Sequence, residues 1–456
     1  MSHTFLTTRY TDDIYQLIVK LCAEDIKLRD KKIKIKKIEL RKKPDFLFLL
    51  TCLWYLILGK FWNKEKTALL KYKNINFGLK LLSITFRSFD SYVSLNKYYY
   101  NLFKNIYLIS KIFYTADFYE KKYDFNCVYI DHMEYLNGIY FEVFKNKKRT
   151  FYTNHYPNNI IKTKKKNIEI TNRINFKKKK FTKNEKKKIW IIAKKVYGSI
   201  KDYLPWMRST KWSSKNYSNL KKYDYIIYAH SFTDSQLQYG FDGFTNTLEW
   251  LEYTILELQK KGANFIVKPH PNFYTNISKN KKNNLALWDR KIYLNLKNKI
   301  KNQKNILFID KPILNKSLIS KLNDKCLVIT KHGSIQLEMV YHGFKVISSA
   351  KNLIDPKYSL SNSWNNREEY KKLLNKKWKD LSYGDEESFL TVMEFLFIDE
   401  NSTFGKNYYL NVLKNQMLKK KITKKNSPYG EVLSKFGLLK NKQQLIKKIK
   451  IPIKWV

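Results

Sequence analysis

Residues 326–349, CLVITKHGSIQLEMVYHGFKVISS, contain a strand, a turn, a helix and a second strand in succession. The apolar run 326–330 precedes a polar turn, a helical pattern follows over residues 335–343, and a second strand is predicted at 345–349. Continuous apolar strands that alternate with amphipathic helices are typical of a parallel sheet covered on both faces. This stretch predicts a Rossmann-like α/β domain.

The same alternation begins about a hundred residues earlier. YDYIIYAH (223–230) predicts a buried strand, and NTLEWLEYTILELQKKG predicts a helix with Asn246 as its N-cap and Gly262 at its end. Two more strands are predicted in NFIVKPH (264–270) and ILFID (306–310). Repetition of the pattern extends the predicted α/β domain over much of the chain's second half.

A second α/β unit is expected nearer the N-terminus, because a strand at 125–131, a helix and a strand around RTFYTNH suggest a βαβ unit. We therefore predict an α/β protein with two Rossmann-like units. The predicted segments are a basic helical N-terminal extension (1–62), an N-terminal Rossmann-like domain (63–160), a Lys-rich linker and helix (161–220), a C-terminal Rossmann-like domain (221–400) and a basic helical tail (401–456).

The chain carries a formal net charge of +50, from 89 Lys and Arg against 39 Asp and Glu. Such an excess attracts nucleic acid, anionic membranes or phosphorylated substrates. A low-GC genome also produces it, since the codons of Lys, Asn, Ile and Tyr are rich in A and T. The Lys-rich stretch 161–188 lacks regularly interleaved aromatic residues, so we interpret it as a solvated segment and expect no nucleic-acid partner.

The segment PDFLFLLTCLWYLILGKFW (44–62) has an uncharged apolar core and follows the basic stretch KKIKIKKIELRKK. A run of this length is short for a bilayer-spanning helix, which takes about 20 apolar residues. A buried helix is favoured, while a membrane-surface helix and a true span stay open. With no secretory signal pattern at the N-terminus, we expect a cytoplasmic protein, peripheral on the inner membrane.

Several familiar motifs are missing from the sequence. The four cysteines are far apart and form no C-x-x-C pair, and the chain contains no P-loop, G-x-G-x-x-G, H-E-x-x-H or G-x-S-x-G motif. It also contains no Asp-x-Asp pair, the usual anchor of metal-dependent sugar transferases. We therefore expect a site with no metal and no cofactor.

Residues that follow strands are the first candidates for a site, because open parallel sheets bind ligands beyond the carboxyl ends of their strands. Three of the seven histidines, His230, His270 and His332, lie at such positions. His270 stands between two prolines, which restrict the backbone and fix the direction of the ring. We predict that His270 and Lys268 bind a phosphate, although a histidine that merely bonds to the backbone is the alternative.

The turn after the strand 326–330 has the features of an anion site. Gly333 lets the backbone approach a ligand, and Ser334 is predicted to cap a helix whose free N–H groups would face an anion. Glu338 lies too far from Ser334 for a capping box and suits ribose hydroxyls, with an exposed helix glutamate as the alternative. The predicted nucleotide-donor-binding residues are Lys268, His270, His332, Gly333, Ser334, Ile335, Gln336 and Glu338.

Four further residues that follow strands are candidate catalytic acids or bases. Asp131 and His132 end the predicted strand of the N-terminal domain, and His230 and Asp234 follow the first strand of the C-terminal domain. For each of them a purely structural role in its loop is the competing interpretation.

These stretches resemble GT-B-like enzymes of bacterial surface and capsular polysaccharide synthesis, including Kdo-transferase-like and sialyltransferase-like proteins. The resemblance covers about residues 70–385. It is carried by YKNINFGLKLLSITFRS with Gly78 and Arg87, by YAHSFTDSQLQYGFDGFTNTLEWLEYTILEL, by the His-Pro motif in VKPHP, by VITKHGSIQLEMVYHGFKVISS and by YSLSNSWNNREEY. His332 stands where smaller residues are common in the family.

The resemblance implies a GT-B-like fold, in which two Rossmann-like domains face a cleft. It makes 63–160 the acceptor domain and 221–400 the nucleotide-donor domain, which holds most of the nucleotide-sugar donor. In relatives that use CMP-activated donors, the His-Pro histidine contacts the nucleotide phosphate, which carries over to His270. The helix after the glycine holds phosphate or ribose, which carries over to Ser334 and Glu338. The expected activity is transfer of a sugar from a CMP-linked donor to a lipid-linked or polysaccharide acceptor. A CDP-polyol phosphotransferase of similar fold and a basic nucleic-acid-binding or assembly protein are the alternatives.

Overall fold

A computed structural model describes most of the 456-residue chain. The described residues are 3–7, 33–125, 127–130, 135–144, 150–155, 159–163, 178–194, 220–234, 239–270, 285–300, 304–310, 313–354 and 356–397, with the single positions 197, 217, 237 and 273. The predicted tail 401–456 and the candidates Asp131 and His132 lie outside these residues.

The N-terminal half contains a five-stranded sheet, a two-stranded ribbon and helices. The strands are β1 (His3–Thr7), β2 (Ile33–Lys37), β3 (Lys71–Tyr72), β4 (Ile75–Asn76), β5 (Cys127–Ile130), β6 (Thr150–His155) and β7 (Asn159–Thr163). The helices are α1 (Phe46–Ile57), α2 (Lys64–Ala68), α3 (Gly78–Thr85), α4 (Asp90–Val93), α5 (Leu95–Lys122), α6 (Asn137–Phe144) and α7 (Lys183–Ala193).

The sheet of this half has the order β2-β1-β5-β6-β7, with only β6 and β7 antiparallel. The predicted strand, helix and strand are confirmed as β5, α6 and β6. A purely helical N-terminal extension is wrong, because β1 and β2 add two parallel strands to the sheet. Their Thr- and Ile-containing runs suit a strand despite the many lysines.

The C-terminal half contains an all-parallel six-stranded sheet. Its strands are β8 (Tyr225–Tyr228), β9 (Phe265–Lys268), β10 (Ile306–Phe308), β11 (Leu327–Thr330), β12 (Val346–Ser349) and β13 (Asn362–Trp364). Its helices are α8 (Thr247–Lys260), α9 (Leu285–Lys299), α10 (Asn315–Ile319), α11 (Ile335–Tyr341), α12 (Arg367–Asn375) and α13 (Glu386–Phe397). The predicted alternation of strands and helices is confirmed, and the Asn246 side chain caps α8 by accepting from the Glu249 N–H.

Both faces of this sheet are covered, as the apolar strands require. Ile227, Val267 and Ile329 pack in one core with Trp250 and Leu251 of α8. Ile226, Ile266 and Val328 alternate with them and pack on the other face. Because successive side chains of a strand point to opposite faces, two layers of helices bury every position of β9 and β11, and every position of β8 except the partly buried Tyr225.

The sheet order is β10-β9-β8-β11-β12-β13. The chain adds strands on one side of β8, then crosses back and adds the rest on the other side. Strand order therefore reverses between β8 and β11, and in open α/β sheets this position creates a crevice at the carboxyl ends of the strands. The fold thus singles out the residues that follow β8 and β11.

The apolar segment 44–62 forms α1, but the prediction of a buried helix is wrong. Only Phe48 and Cys52 of α1 are buried, and much of the remaining apolar surface is exposed. Phe48 packs against the rings of Phe77 and Phe113, which fixes one side of the helix to the fold. Among the described residues, none of the helices combines the length and the hydropathy needed to cross a bilayer.

The end of the Lys-rich stretch is a helix whose lysines lie at the surface, as expected of a solvated segment, while its apolar residues pack against α13. A capping box of Thr182 and Glu185 starts α7, which places Ile189 in a core with α13. Ion pairs join the lysines to acidic residues of α13 and its approach, such as Lys186 to Glu386 at 3.0 Å. Carboxylates at 385–394 thus hold lysines that the sequence pattern alone assigned to solvent.

Candidate nucleotide-phosphate site

Three histidines lie together at the carboxyl edge of the C-terminal sheet. β9, β8 and β11 are neighbours whose last residues, Lys268, Tyr228 and Thr330, are paired in register. A histidine follows each of these residues two positions later, so the matched strand ends bring the three rings to one place. The carboxyl edge at which strand order reverses therefore carries His230, His270 and His332.

The His230 ring lies between the other two. Its centroid is 4.1 Å from that of His332 and 5.3 Å from that of His270. Gly333 passes close by in a left-handed conformation with φ of 118°, and a Cβ at this position would stand 3.4 Å from Cδ2 of His230. Glycine therefore lets the turn close against the cluster at no steric cost.

The surroundings of His230 and His270 lower the pKa of each ring and so favour its neutral form. Burial lowers the pKa of His230, although the carboxylate of Asp234 opposes the shift. Burial also lowers the pKa of His270 well below its usual range, and His230 and Lys268 push it in the same direction. Neutral imidazole rings donate and accept hydrogen bonds, and an arriving anion would raise their pKa values.

Lys268 supplies the positive charge beneath the rings. The residue is 4% exposed, and its Nζ lies 5.5 Å from the centroid of the Tyr228 ring. Among the described residues no carboxylate lies within ion-pair distance of this Nζ. The more distant carboxylate of Glu338 raises the pKa of Lys268. Burial lowers the pKa of Lys268, and a phosphate in the crevice would offset that shift.

Glu338 faces the same region from α11, as the sequence predicted. Its carboxylate accepts a hydrogen bond of 2.9 Å from the Asn315 amide, and burial raises its pKa. The interpretation as an exposed helix glutamate is wrong, since the residue is partly buried and its side chain is hydrogen-bonded to α10. The Glu338 carboxylate is thus available to hydroxyl groups that enter beside Lys268.

The turn 331–336 differs from the prediction in its hydrogen bonds. Ser334 occupies the N-cap position of α11, but its side chain makes no capping bond. The Gly333 N–H donates to Asn352 Oδ1 at 3.0 Å, and Asn352 Nδ2 donates to Gln336 Oε1 at 2.8 Å. Gln336 also donates to Ser361 at 2.8 Å, so its amide secures the turn. Capping failed because Ser334 already has helical dihedrals, which direct its hydroxyl away from the helix N–H groups.

Two other residues of the turn also have structural tasks. The Ile335 side chain packs against the apolar core on one face of the sheet. A ligand at the carboxyl edge could therefore bond only to the backbone of this residue, through its N–H group. Lys331 is 1% exposed and forms a buried ion pair of 2.9 Å with Asp242. This pair fixes the start of the turn to the loop before α8.

Asp289 organises the loop after β8, and sequence reasoning missed it. Its carboxylate accepts from the Ser231 hydroxyl at 2.5 Å, from the N–H groups of Phe232 and Thr233 at 2.9 and 3.0 Å, and from the Thr233 hydroxyl at 2.9 Å. Burial raises the pKa of Asp289 to about 7, although the hydrogen bonds from Ser231 and Thr233 act to lower it. The available signal was a charged residue at the apolar spacing of α9, with Ile292 and Leu296 on the same face.

Asp234 links the loop to the N-terminal half. Its carboxylate accepts a short hydrogen bond from the Tyr135 hydroxyl, and the Arg87 guanidinium lies 4.4 Å from the centroid of the Tyr135 ring. Two further bonds join the halves nearby: the Tyr92 hydroxyl donates to the Phe232 carbonyl, and the Leu237 N–H donates to Ser83 at 3.2 Å. The candidate acid or base Asp234 is therefore shared between the two halves.

Where the structure describes the chain, no group of three His, Cys, Asp or Glu side chains has the arrangement of a metal site. The three histidines of the cluster are included in this finding; their rings pack together, with that of His230 between the other two. The site as a whole offers a buried cation, three imidazoles and a glycine turn around one crevice. Such a set suits a phosphorylated ligand.

Comparisons with known proteins gave distant structural likenesses. No family model and no curated protein matches the chain. KpsC, a beta Kdo 2,4 transferase from Thermosulfurimonas dismutans, aligns at 13% identity and a TM-score of 0.38, over 58% of this chain and 78% of its own. The UDP-GlcNAc 2-epimerase of Methanocaldococcus jannaschii, solved with UDP-GlcNAc and UDP, aligns at 11% and 0.28, over 87% and 99%.

The UDP-GlcNAc 2-epimerase of Neisseria meningitidis, bound to UDP-GlcNAc, aligns at 12% identity and a TM-score of 0.20, over 99% of this chain and all of its own. TM-scores below 0.5 establish neither a shared fold nor a shared activity. The functional conclusion therefore depends on the residues of the site.

Proposed function

We propose that the chain is a glycosyltransferase that moves a sugar from a nucleotide-activated donor to a lipid-linked or polysaccharide acceptor of a bacterial surface polysaccharide. The observation that carries this proposal is the cluster of His230, His270 and His332 beside buried Lys268, at the point where strand order reverses. Open α/β sheets bind nucleotides at this position. A CMP-linked donor is favoured by the resemblance of the His-Pro motif alone.

In the proposed reaction the donor phosphate lies against His270 and Lys268. The acceptor hydroxyl oxygen forms a bond to the anomeric carbon of the sugar, and the bond from that carbon to the phosphate oxygen breaks. The electron pair of the broken bond stays on the phosphate, so CMP leaves with an added negative charge. Lys268 and the imidazole N–H groups stabilise this charge in a partly dry crevice, which lowers the barrier.

The proton of the acceptor hydroxyl has to pass to a base. His230 and Asp234 are candidates at the described edge, and Asp131 and His132 stay candidates from the sequence. His230 is held neutral by burial, which is the protonation state that a general base needs. Glu338 is proposed to bind the ribose hydroxyls, and Ser334 and Ile335 to offer hydroxyl and N–H groups to the phosphate.

The acceptor is proposed to be presented at the cytoplasmic face of the inner membrane, where the basic surface of the chain meets anionic lipid. The two Rossmann-like halves are proposed to enclose the donor between them. The bond between Tyr135 and Asp234 supports this arrangement, since it brings the N-terminal half to the loop that borders the crevice.

A donor screen tests the proposed activity. Purified protein is incubated with a polysaccharide acceptor and with sugars linked to CMP, UDP or GDP, or with a CDP-linked polyol. The mass of the product is then measured by mass spectrometry. A mass increase of one sugar that disappears in His270→Ala is expected. A product that gains a phosphate together with the polyol would indicate a phosphotransferase, and tight nucleic-acid binding without turnover would contradict both enzymes.

A further inference from the structure

Helix α1 presents a broad apolar face to solvent. Phe46, Leu47, Leu50, Leu53, Trp54 and Ile57 are between 45% and 69% exposed. At about 100° per residue these positions fall within an arc of roughly 120°, while Phe48 and Cys52 point to the opposite side. A contiguous apolar patch of this kind marks an interaction surface, because soluble monomers rarely expose one.

The patch continues beyond the helix. Leu58 and Trp62 are also exposed, and the Trp62 ring lies 5.0 Å from that of Tyr99 on α5. The partly exposed Phe103 follows one turn along α5 and contacts Phe61 at 6.3 Å between ring centroids. The apolar surface therefore runs from α1 across the adjoining 3-10 turn onto the long helix α5.

The two stretches of sequence that form this surface carry lysines and no acidic residues. The sequence has no Asp or Glu from Phe46 to Asn63, nor from Leu95 to Ala116. Lysines flank the apolar face at both ends of α1 and along α5; they are Lys42, Lys43, Lys60, Lys104 and Lys111. Lys64 and Lys97 are not counted among them, because Lys64 lies over the rings of Phe86 and Tyr98 and Lys97 pairs with Asp90 at 3.5 Å. Apolar and aromatic side chains ringed by lysines are typical of a helix that lies in the plane of an anionic bilayer.

We propose that the exposed face of α1, with the adjoining rings of Trp62 and Phe103, is the surface that docks on an anionic lipid bilayer. The lysines bind headgroup phosphates while the apolar side chains enter the boundary with the acyl chains. A second copy of the chain fits less well, because a two-fold contact places the same patch on itself and brings the lysines together. The tail 401–456 is basic too, so its charge does not complement the patch.

This inference rests on the proposed function only in placing the acceptor at the same membrane. α1 lies outside the crevice residues, so its surface can be altered without touching the histidine cluster. Vesicle binding and nucleotide binding are therefore independent measurements on one variant.

Flotation of the full chain with vesicles tests the docking surface. Vesicles of phosphatidylcholine alone are compared with vesicles that also contain phosphatidylglycerol, at low and at high salt. The wild-type chain is expected to float with the anionic vesicles and to lose binding as salt rises. In L53S/I57S this binding is expected to fall about tenfold or more, since two apolar side chains no longer enter the bilayer.

The matched control is L256S/L294S, which replaces two exposed leucines of α8 and α9 by the same residue. It is expected to bind vesicles as the wild type does, and both double variants are expected to keep their affinity for CMP. Absence of binding by the wild type, or equal binding by L53S/I57S, would overturn the proposal. A wild-type dimer that L53S/I57S converts to a monomer, without vesicle binding, would assign the surface to a second copy and overturn it as well.

Discussion

At the scale of single residues, the candidate site depends on side chains that support its loops. Asp289 is the clearest case, because one buried carboxylate accepts four hydrogen bonds from residues 231–233. Two of its donors are backbone N–H groups, which have no alternative partner once the carboxylate is removed. This loop carries His230 on one side and Asp234 on the other, so Asp289 fixes both candidates in place.

We predict that Asp289→Ala lowers the free energy of unfolding by about 2–4 kcal/mol, since buried donors lose their acceptor. Asp289→Asn is predicted to recover most of this loss. Its Oδ1 can still accept from the N–H groups, and the Ser231 hydroxyl can turn from donor to acceptor. Urea unfolding of both variants measures the difference. Equal destabilisation by the two substitutions would show that the carboxylate charge, and not its acceptor geometry, matters.

The meeting of the three histidines at one edge of the sheet was predictable from the sequence, while the hydrogen bonds that support them were not. His230, His270 and His332 follow apolar strands, so the rule for parallel sheets is enough to bring them to one edge. Asn352 bonds to the turn at Gly333, and Asn315 bonds to Glu338 of α11. Nothing in the sequence around either asparagine predicts these contacts. Ser334 was assigned a capping bond from its position alone, whereas its dihedrals decide against it.

At the scale of elements, helix α7 combines a solvated charged side with a buried apolar side. The lysines of 178–188 lie at the surface as the sequence predicted, where some pair with carboxylates of α13, and α13 also supplies an apolar face for Ile189 and Ala193. Apolar spacing at the end of α7 was the available signal. The exposed face of α1 is the opposite case, since an apolar run was expected to be buried and lies at the surface.

We predict that Ile189→Ala lowers the free energy of unfolding by about 2–4 kcal/mol, because it leaves a cavity between α7 and α13. Ile191→Ala is the matched control, since Ile191 lies on the same helix and is 45% exposed. The control is expected to change stability by no more than about 0.5 kcal/mol. If both variants unfold at the wild-type urea concentration, the packing of α7 against α13 does not stabilise the folded protein.

At the scale of the whole molecule, the two halves meet beside the histidine crevice. Tyr135 belongs to the N-terminal half, yet its hydroxyl donates to Asp234 of the C-terminal half while its ring lies under Arg87. Tyr135 and Asp234 are far apart in the sequence, so no local pattern could predict their contact. The contact couples the acceptor half of the proposed enzyme to a candidate acid or base.

We predict that Tyr135→Phe lowers the turnover of the transferase and leaves its affinity for CMP unchanged. The substitution removes the donor to Asp234 and keeps the ring that Arg87 covers. A fall in turnover of about tenfold corresponds to the loss of one hydrogen bond to a charged group. Tyr107→Phe, at an exposed ring of α5, is the control and is expected to behave as the wild type. A weakened affinity for CMP would place Tyr135 in the nucleotide site instead.

The central claim is that the edge formed by His270, Lys268 and the turn at Gly333 receives a nucleotide phosphate. Calorimetric titration of CMP into the wild-type chain, His270→Ala and His342→Ala tests it most directly, because His342 stands at the far end of α11. The account predicts saturable binding by the wild type and by His342→Ala, and a loss of about tenfold or more in His270→Ala. Absence of binding by the wild type, or equal affinity of His270→Ala, would contradict it.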